Sequence, residues 1–445
     1  MMQCPRCNKP LEEGEVFCGN CGAQVAPQRA LGATVDARRE QGLLSGNVPG
    51  FDSAQRAGPY TSSPQGTYGS MPNDPTVLTP ARPMPPQPVR PRRNGRILLI
   101  GLLVLVVIAG GTLGALVFFK QANPTPPTPT VTGQVFFRDG PNGTGHTDAL
   151  ILSISGLSPL ASGSHYQAWG VNTSNEQILP LGVLTQQGQN FALSYAGNGK
   201  HGHAGLNLIG AGNKVEITQE QGNANLPTGK IVSSATFPPA AFIHIRHLLF
   251  SFSTTPHQVG LLVGLRDQAQ LLNGQATVLK TVAGGGNTLG TQCLAQSILD
   301  IVEGSQGSHF QPLPRLCTFQ NITSQGDGFG ILGKSGYDTT ASLHASLAAT
   351  APDATTNIKT HARHVQIATT NIDGWLNTVD QDAQALLTHP GDTSKVSEIV
   401  QLCDHAYNGI DIDGDEHIDP VPGEAGAVTA YAHGQLMAAL ELTSA

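Results

Sequence analysis

Ile97–Phe119, ILLIGLLVLVVIAGGTLGALVFF, divides this chain of 445 residues. It carries no charge, and Thr112 is its one polar side chain. At about 1.5 Å per residue it reaches roughly 34 Å, enough for the ~30 Å hydrocarbon core of a bilayer. The stretch therefore predicts a transmembrane helix. It starts too late and runs too long for the apolar region of a cleaved signal peptide. Gly110 and Gly114 form a small-xxx-small pair on one face, a pattern that lets two such helices approach closely and form a homodimer.

Working outward, Arg90, Arg92, Arg93 and Arg96 precede the span, and only Lys120 follows it closely. The positive-inside rule then puts the N-terminus in the cytoplasm and residues 121–445 outside, as in a single-pass cell-membrane protein. The two sides differ in charge. Residues 1–96 carry a net +4 and residues 121–445 a net −12, within an overall −7. Every histidine lies at His146 or beyond. An overall acidic chain is not a nucleic-acid binder, and 12% charged residues with 53 Gly and 31 Pro do not make one compact, charged cytosolic enzyme.

On the cytoplasmic side, Cys4-Pro5-Arg6-Cys7 and Cys18-Gly19-Asn20-Cys21 form C-x2-C-x10-C-x2-C. Each CxxC clamps one edge of a metal ion, and two clamps close a tetrahedral thiolate site that suits Zn2+. Four sulfurs leave no position for catalysis. The segment resembles the short zinc-ribbon domains at the N-termini of many bacterial membrane proteins. Arg6 and Lys9 are offset by Glu12, Glu13 and Glu15, so the expected partner of residues 1–27 is a cytosolic protein rather than nucleic acid. Residues 28–96 are rich in Pro, Gly and Ser without an apolar period, which predicts a disordered linker.

Beyond the span, residues 120–130 read as a proline-rich stalk, residues 131–255 as a β-rich extracytoplasmic domain, and residues 256–445 as an α-helical bundle. Leu150, Leu152 and Ile154 alternate with Ile151, Ser153 and Ser155, the period of a strand. Further strands are expected at His165–Val171, Phe191–Tyr195, Lys214–Thr218 and Ile231–Phe237, together a small antiparallel β-sandwich or barrel. Helical spacing follows: Leu261, Leu265, Leu272 and Leu279; then Leu294, Ile298 and Ile301; then Thr339 to Ala349. The longest pattern runs from Ile358 to Leu386, and two more start at Val396 and Val428. The fold class expected for the whole chain is thus multidomain α+β.

Tyr166-Gln167-Ala168-Trp169-Gly170-Val171, Leu181-Gly182-Val183-Leu184, Val215-Glu216-Ile217-Thr218 and Leu226-Pro227-Thr228-Gly229 give residues 145–235 a further likeness. This region resembles the extracytoplasmic domain of anti-sigma-K factors. The resemblance implies a β domain outside the membrane in a signalling chain. Residues 28–96 do not supply that family's sigma-binding helices, so fold and topology alone carry over.

Among candidate sites, Asp411-Ile412-Asp413-Gly414-Asp415-Glu416-His417-Ile418-Asp419 places Asp at positions 1, 3, 5 and 9 of a calcium loop. It departs from that pattern at Glu416, where Gly is usual, and at Pro422, with Glu424 two residues late. Three histidine pairs are spaced to bind a transition metal: His201 with His203, His244 with His247, and His361 with His364. Gly328 and Gly330 in GDGFG have neither a preceding strand nor a GK[ST] end, and do not make a phosphate loop. Of the three outer cysteines, Cys293 and Cys317 close the shortest loop; a bridge from either to Cys403, or three thiols, are the alternatives. No Ser-His-Asp or Cys-His arrangement stands out. The expected function is a single-pass signalling or scaffold protein with extracytoplasmic binding domains. Its rival is a membrane-anchored metal-dependent enzyme, which would gather histidines and acids around one cleft.

Overall fold

The computed structural model describes Gln3 and residues 130–141, 146–196 and 205–445. The four ribbon cysteines, the linker, the expected span, the stalk through Pro129 and the His201–His203 pair lie outside the described residues. Among the described residues, no helix is long and apolar enough to cross a membrane.

The strands are β1 (Thr132–Arg138), β2 (Ala149–Ser155), β3 (Ser164–Asn172), β4 (Gln177–Val183), β5 (Thr185–Gln187), β6 (Asn190–Tyr195), β7 (Lys214–Gln221), β8 (Lys230–Thr236) and β9 (Leu440–Ser444). They form one antiparallel sheet in the order β4-β3-β7-β8-β9-β1-β2-β6-β5. β4 near one edge lies against β6 near the other, so the sheet curls into a nearly closed barrel. Of the sandwich and the barrel expected from the sequence, the barrel is what forms, and the sandwich is corrected: one curled sheet replaces two stacked ones. The alternation in β2 is the physical basis. Leu150 and Leu152 pair with Phe137 and Val135 of β1, and all four side chains are buried, while Ile151 is exposed.

The longer helices are α1 (Pro239–Leu249), α2 (Leu261–Gly284), α3 (Thr288–Glu303), α4 (Tyr337–Thr350), α5 (Thr356–Thr388), α6 (Thr393–Asn408) and α7 (Ala427–Met437). Two differences from the sequence reading matter. Residues 239–249, inside the expected β region, form α1: Pro239 sits at its first turn, and Ala241, Phe242, Ile245, Leu248 and Leu249 make its buried stripe. The helical pattern that starts at Val428 ends at Met437, and Leu440 opens β9, which pairs with both β1 and β8. The expected boundary at 255/256 therefore does not separate two bodies. The end of the chain completes the sheet, and one continuous core joins sheet and helices.

Specific contacts fix the helices that matter below. Asp139 at the end of β1 accepts hydrogen bonds from Arg266 Nη1 (2.9 Å), Tyr431 Oη (2.5 Å) and Gln435 Nε2 (2.8 Å), tying α2 and α7 to the sheet. Burial opposes ionisation of Asp139, but these donors, with His146 and the Thr147 N–H, hold its carboxyl well below the usual range. Asp353, just before α5, accepts from the Ala240 and Ala241 N–H groups at 2.7 and 3.0 Å and so caps α1. Gly264 of α2 meets the Tyr337 ring of α4 so closely that an added Cβ would lie 2.1 Å from it; at Gly434 of α7 the Leu262 side chain would lie at 2.4 Å. A side chain at Gly264 would have to displace the buried Tyr337 ring, and one at Gly434 the tip of Leu262. Cys293 of α3 is disulfide-bonded to Cys317, and Cys403 of α6 is a buried thiol.

Candidate metal centres

His244 and His247 lie three apart on α1, so both imidazoles leave the same face of the helix. α4 packs against that face and supplies His344. The His344 Nδ1 lies 3.1 Å from His244 Nδ1 and 3.2 Å from His247 Nδ1. The arrangement recurs. His361 and His364 lie three apart on α5, α7 packs against them, and His433 Nδ1 lies 2.8 Å from His361 Nδ1 and 3.3 Å from His364 Nδ1. Both helix pairs read His-x-Arg-His: His244-Ile245-Arg246-His247 and His361-Ala362-Arg363-His364.

Hydrogen bonding alone does not satisfy either trio. A ring Nδ1 offers one in-plane site, either an N–H or a lone pair. His344 and His433 each face two neighbouring nitrogens through that single site. A shared cation resolves the conflict, because all three nitrogens then donate lone pairs to one point. With Zn–N bonds of about 2.0–2.1 Å, two nitrogens of a tetrahedral site are roughly 3.3 Å apart. The observed separations of 2.8 to 3.3 Å lie at or just below that value.

The electrostatics keep the imidazoles neutral. Burial pushes His247 down to about 3, with further lowering from His344, His244 and Arg246. Burial also lowers His344 to about 4, aided by His244, and His433 to about 4, aided by His364 and His361. His244, His361 and His364 are lowered as well, chiefly by burial. Neutral imidazole is the ligating form, so protons compete weakly with a metal at either centre.

The sequence pairs were visible as i, i+3 histidines; their third members were not. His344 and His433 stand 97 and 69 residues from their nearest partners. A signal did exist. His344 occupies the buried stripe formed by Ala341, Ala345 and Ala348, where a polar residue has no reason to sit in a plain apolar core; His433, partly exposed beside Gly434, gave no such signal.

The acidic loop gathers its predicted residues in two overlapping groups: Asp411 and Asp413 with Glu424, and Asp413, Asp415 and Asp419 together. Asp411 accepts from the Gly414 N–H (2.6 Å) and the Glu416 N–H (2.9 Å), and these bonds lower its pKa. Glu416 takes the left-handed conformation (φ 69°) that glycine usually supplies. Glu424 folds back, accepting from the Ile412 and Asp419 N–H groups at 3.3 and 3.0 Å. A further group joins Glu303, His309 and Asp380, of which Glu303 and Asp380 line a cavity of about 870 Å3 with Asp327, Phe329 and Lys334. None of the six trio histidines lines that cavity.

Residues 3–25 match the zinc-ribbon domain family, and Cys4, Cys7, Cys18 and Cys21 all lie within the match. The chain thus carries a zinc-ribbon domain at its N-terminus, with four thiolates that suit one zinc ion. No curated protein and no solved structure matches the chain.

Proposed function

We propose that the protein is a single-pass membrane protein whose extracytoplasmic body binds transition-metal ions at two three-histidine centres, with a zinc ribbon on the cytoplasmic side. The observation that carries the metal assignment is recurrence: two unrelated helix pairs build the same three-nitrogen convergence from His-x-Arg-His plus one distant histidine. The apolar stretch at Ile97–Phe119 and the arginines before it support the span and its direction. The Cys293–Cys317 bridge suits an oxidising compartment. The segments that resemble the outer domain of anti-sigma-K factors fall largely in β3, β4 and β7, which supports a role in signalling or as an envelope scaffold.

The binding reading is favoured over an enzyme because the six trio histidines stand apart from the acid-lined cavity rather than gathering with its acids around one cleft. On the same reading the ribbon engages a cytosolic protein, Gly110 and Gly114 pair two copies of the span, and Asp411, Asp413, Asp415, Asp419 and Glu424 form a calcium loop. Elemental analysis of the full chain in detergent tests the metal assignment. Three transition-metal ions per chain are expected; Cys18→Ser, His344→Ala and His433→Ala should each remove one. A His344→Ala/His433→Ala chain that keeps all three would overturn it.

A further inference from the structure

Resting on that metal reading, we propose that the His361–His364–His433 centre keeps one coordination position open to an exogenous small donor, water or a small anion, whereas Phe252 closes the His244–His247–His344 centre. Among the described residues, each trio offers three ligand atoms, and no fourth His, Cys, Asp or Glu joins either group. A tetrahedral ion therefore has one position left, as in catalytic zinc sites with three protein ligands. What differs is the wall around that position.

At the first centre the Phe252 ring stands edge-on to His247 and to His344, with centroids 5.4 and 5.0 Å away. His344 is only 8% exposed. Phe252 is held firmly: its N–H donates to the Val259 carbonyl (3.3 Å), and Thr255 Oγ1 bonds the carbonyls of Phe252 (2.9 Å) and Val259 (2.6 Å). These bonds fix the backbone at Phe252, and its phenyl ring, which offers no donor atom, covers one side of His247 and His344. At the second centre, among the described residues, the three imidazoles make ring contacts only with one another; all three remain partly exposed, as do His244 and His247, so His344 and the Phe252 ring make the difference.

The arginine of each His-x-Arg-His follows the same division. Arg246 is buried; its Nη2 donates to the Gly210 carbonyl at 3.2 Å, and its guanidinium lies over the Phe242 and Phe250 rings. Arg363 is exposed, and its charge acts on the neighbouring His364. The exposed Arg363 charge thus adds a positive field beside the second centre, whereas the first has a phenyl ring against two of its ligands.

Cobalt(II) spectroscopy of the full chain in detergent separates the two centres, with azide as the probe anion. The wild-type spectrum minus that of His433→Ala isolates the second centre, and minus that of His344→Ala the first; the ribbon's contribution cancels in both. Azide should shift the visible bands of the second centre and leave those of the first unchanged. Phe252→Ala, which removes a ring packed on His247 and His344 but no ligating atom, should make the first centre respond as well. An inert second centre, equal responses at both centres in the wild type, or a first centre still inert in Phe252→Ala would overturn the proposal. Empty difference spectra at both centres would instead overturn the metal reading beneath it.

Discussion

The three-histidine centres and the acidic loop gather their donors in opposite ways. In the loop, four of five carboxylates fall within nine consecutive residues, they face solvent, and Asp411 already accepts hydrogen bonds from its own backbone. In the trios, neutral nitrogens come from helices far apart in sequence, and packing rather than local turns brings them together. The loop's geometry is thus stable without an ion, because backbone N–H groups balance much of its charge. The trios leave nitrogens facing one another through single in-plane sites, so a cation changes their energetics more. Donor sets assembled by tertiary structure should respond more strongly to metal than donor sets assembled by local chain.

The largest expected effect follows directly. Stripping metal from both histidine centres should lower the melting temperature of the full chain, since an ion held only by the folded state at a thousand times its Kd contributes about 4 kcal/mol. Scanning calorimetry with and without a strong chelator measures it. His344→Ala/His433→Ala should make the chain insensitive to that chelator apart from the ribbon and the smaller contribution of the acidic loop. A melting temperature unchanged by the chelator in the wild type would erase the contrast.

A second, smaller effect sharpens the contrast between buried and exposed carboxylates. Asp338, at the start of α4, is 2% exposed, and burial pushes its carboxyl up to about 7, with Asp373 adding to the rise. The sign follows from linkage. Between the unfolded value near 3.8 and about 7, the folded state holds more protons, so stability falls as pH rises through this window. Asp338→Asn should therefore stabilise the chain at pH 8, by about 2–4 kcal/mol from a shift of this size, and change little at pH 4. Denaturant melts at the two pH values check this; equal effects at both would refute it.

The smallest effect belongs to the acidic loop. Calcium should raise the melting temperature by less than the transition metals do, and Asp411→Asn with Asp413→Asn should remove the rise. Magnesium should substitute poorly, because it demands tighter octahedral geometry than this loop supplies. A calcium effect equal to that of the histidine centres would break the comparison.

How much was legible in the sequence follows the same division. The Leu150–Ile154 alternation and the long Ile358–Leu386 stripe announce β2 and α5, because burial on one face imposes a local period. β9 was not legible: LELTS follows a helix directly, and Leu440 continues its spacing until β1 and β8 capture the chain. α1 was hidden because Phe242, Ile243 and Ile245 suit a strand as well as a helix, and packing on α4 decides between them. The calcium-loop pattern could be read because its ligands are neighbours. Glu424 lay outside that pattern and returns only through the fold-back after Pro422. Each histidine pair could be read from its i, i+3 spacing, while His344 and His433 needed the helix packing.

Anomalous diffraction from metal-soaked crystals, recorded on either side of the metal's absorption edge, tests the central claim most directly. The account predicts one peak among the Nδ1 atoms of His244, His247 and His344 and another among those of His361, His364 and His433, each about 2.0–2.1 Å from its three nitrogens. Empty trios, with the metal held only at the ribbon cysteines or the acidic loop, would contradict it.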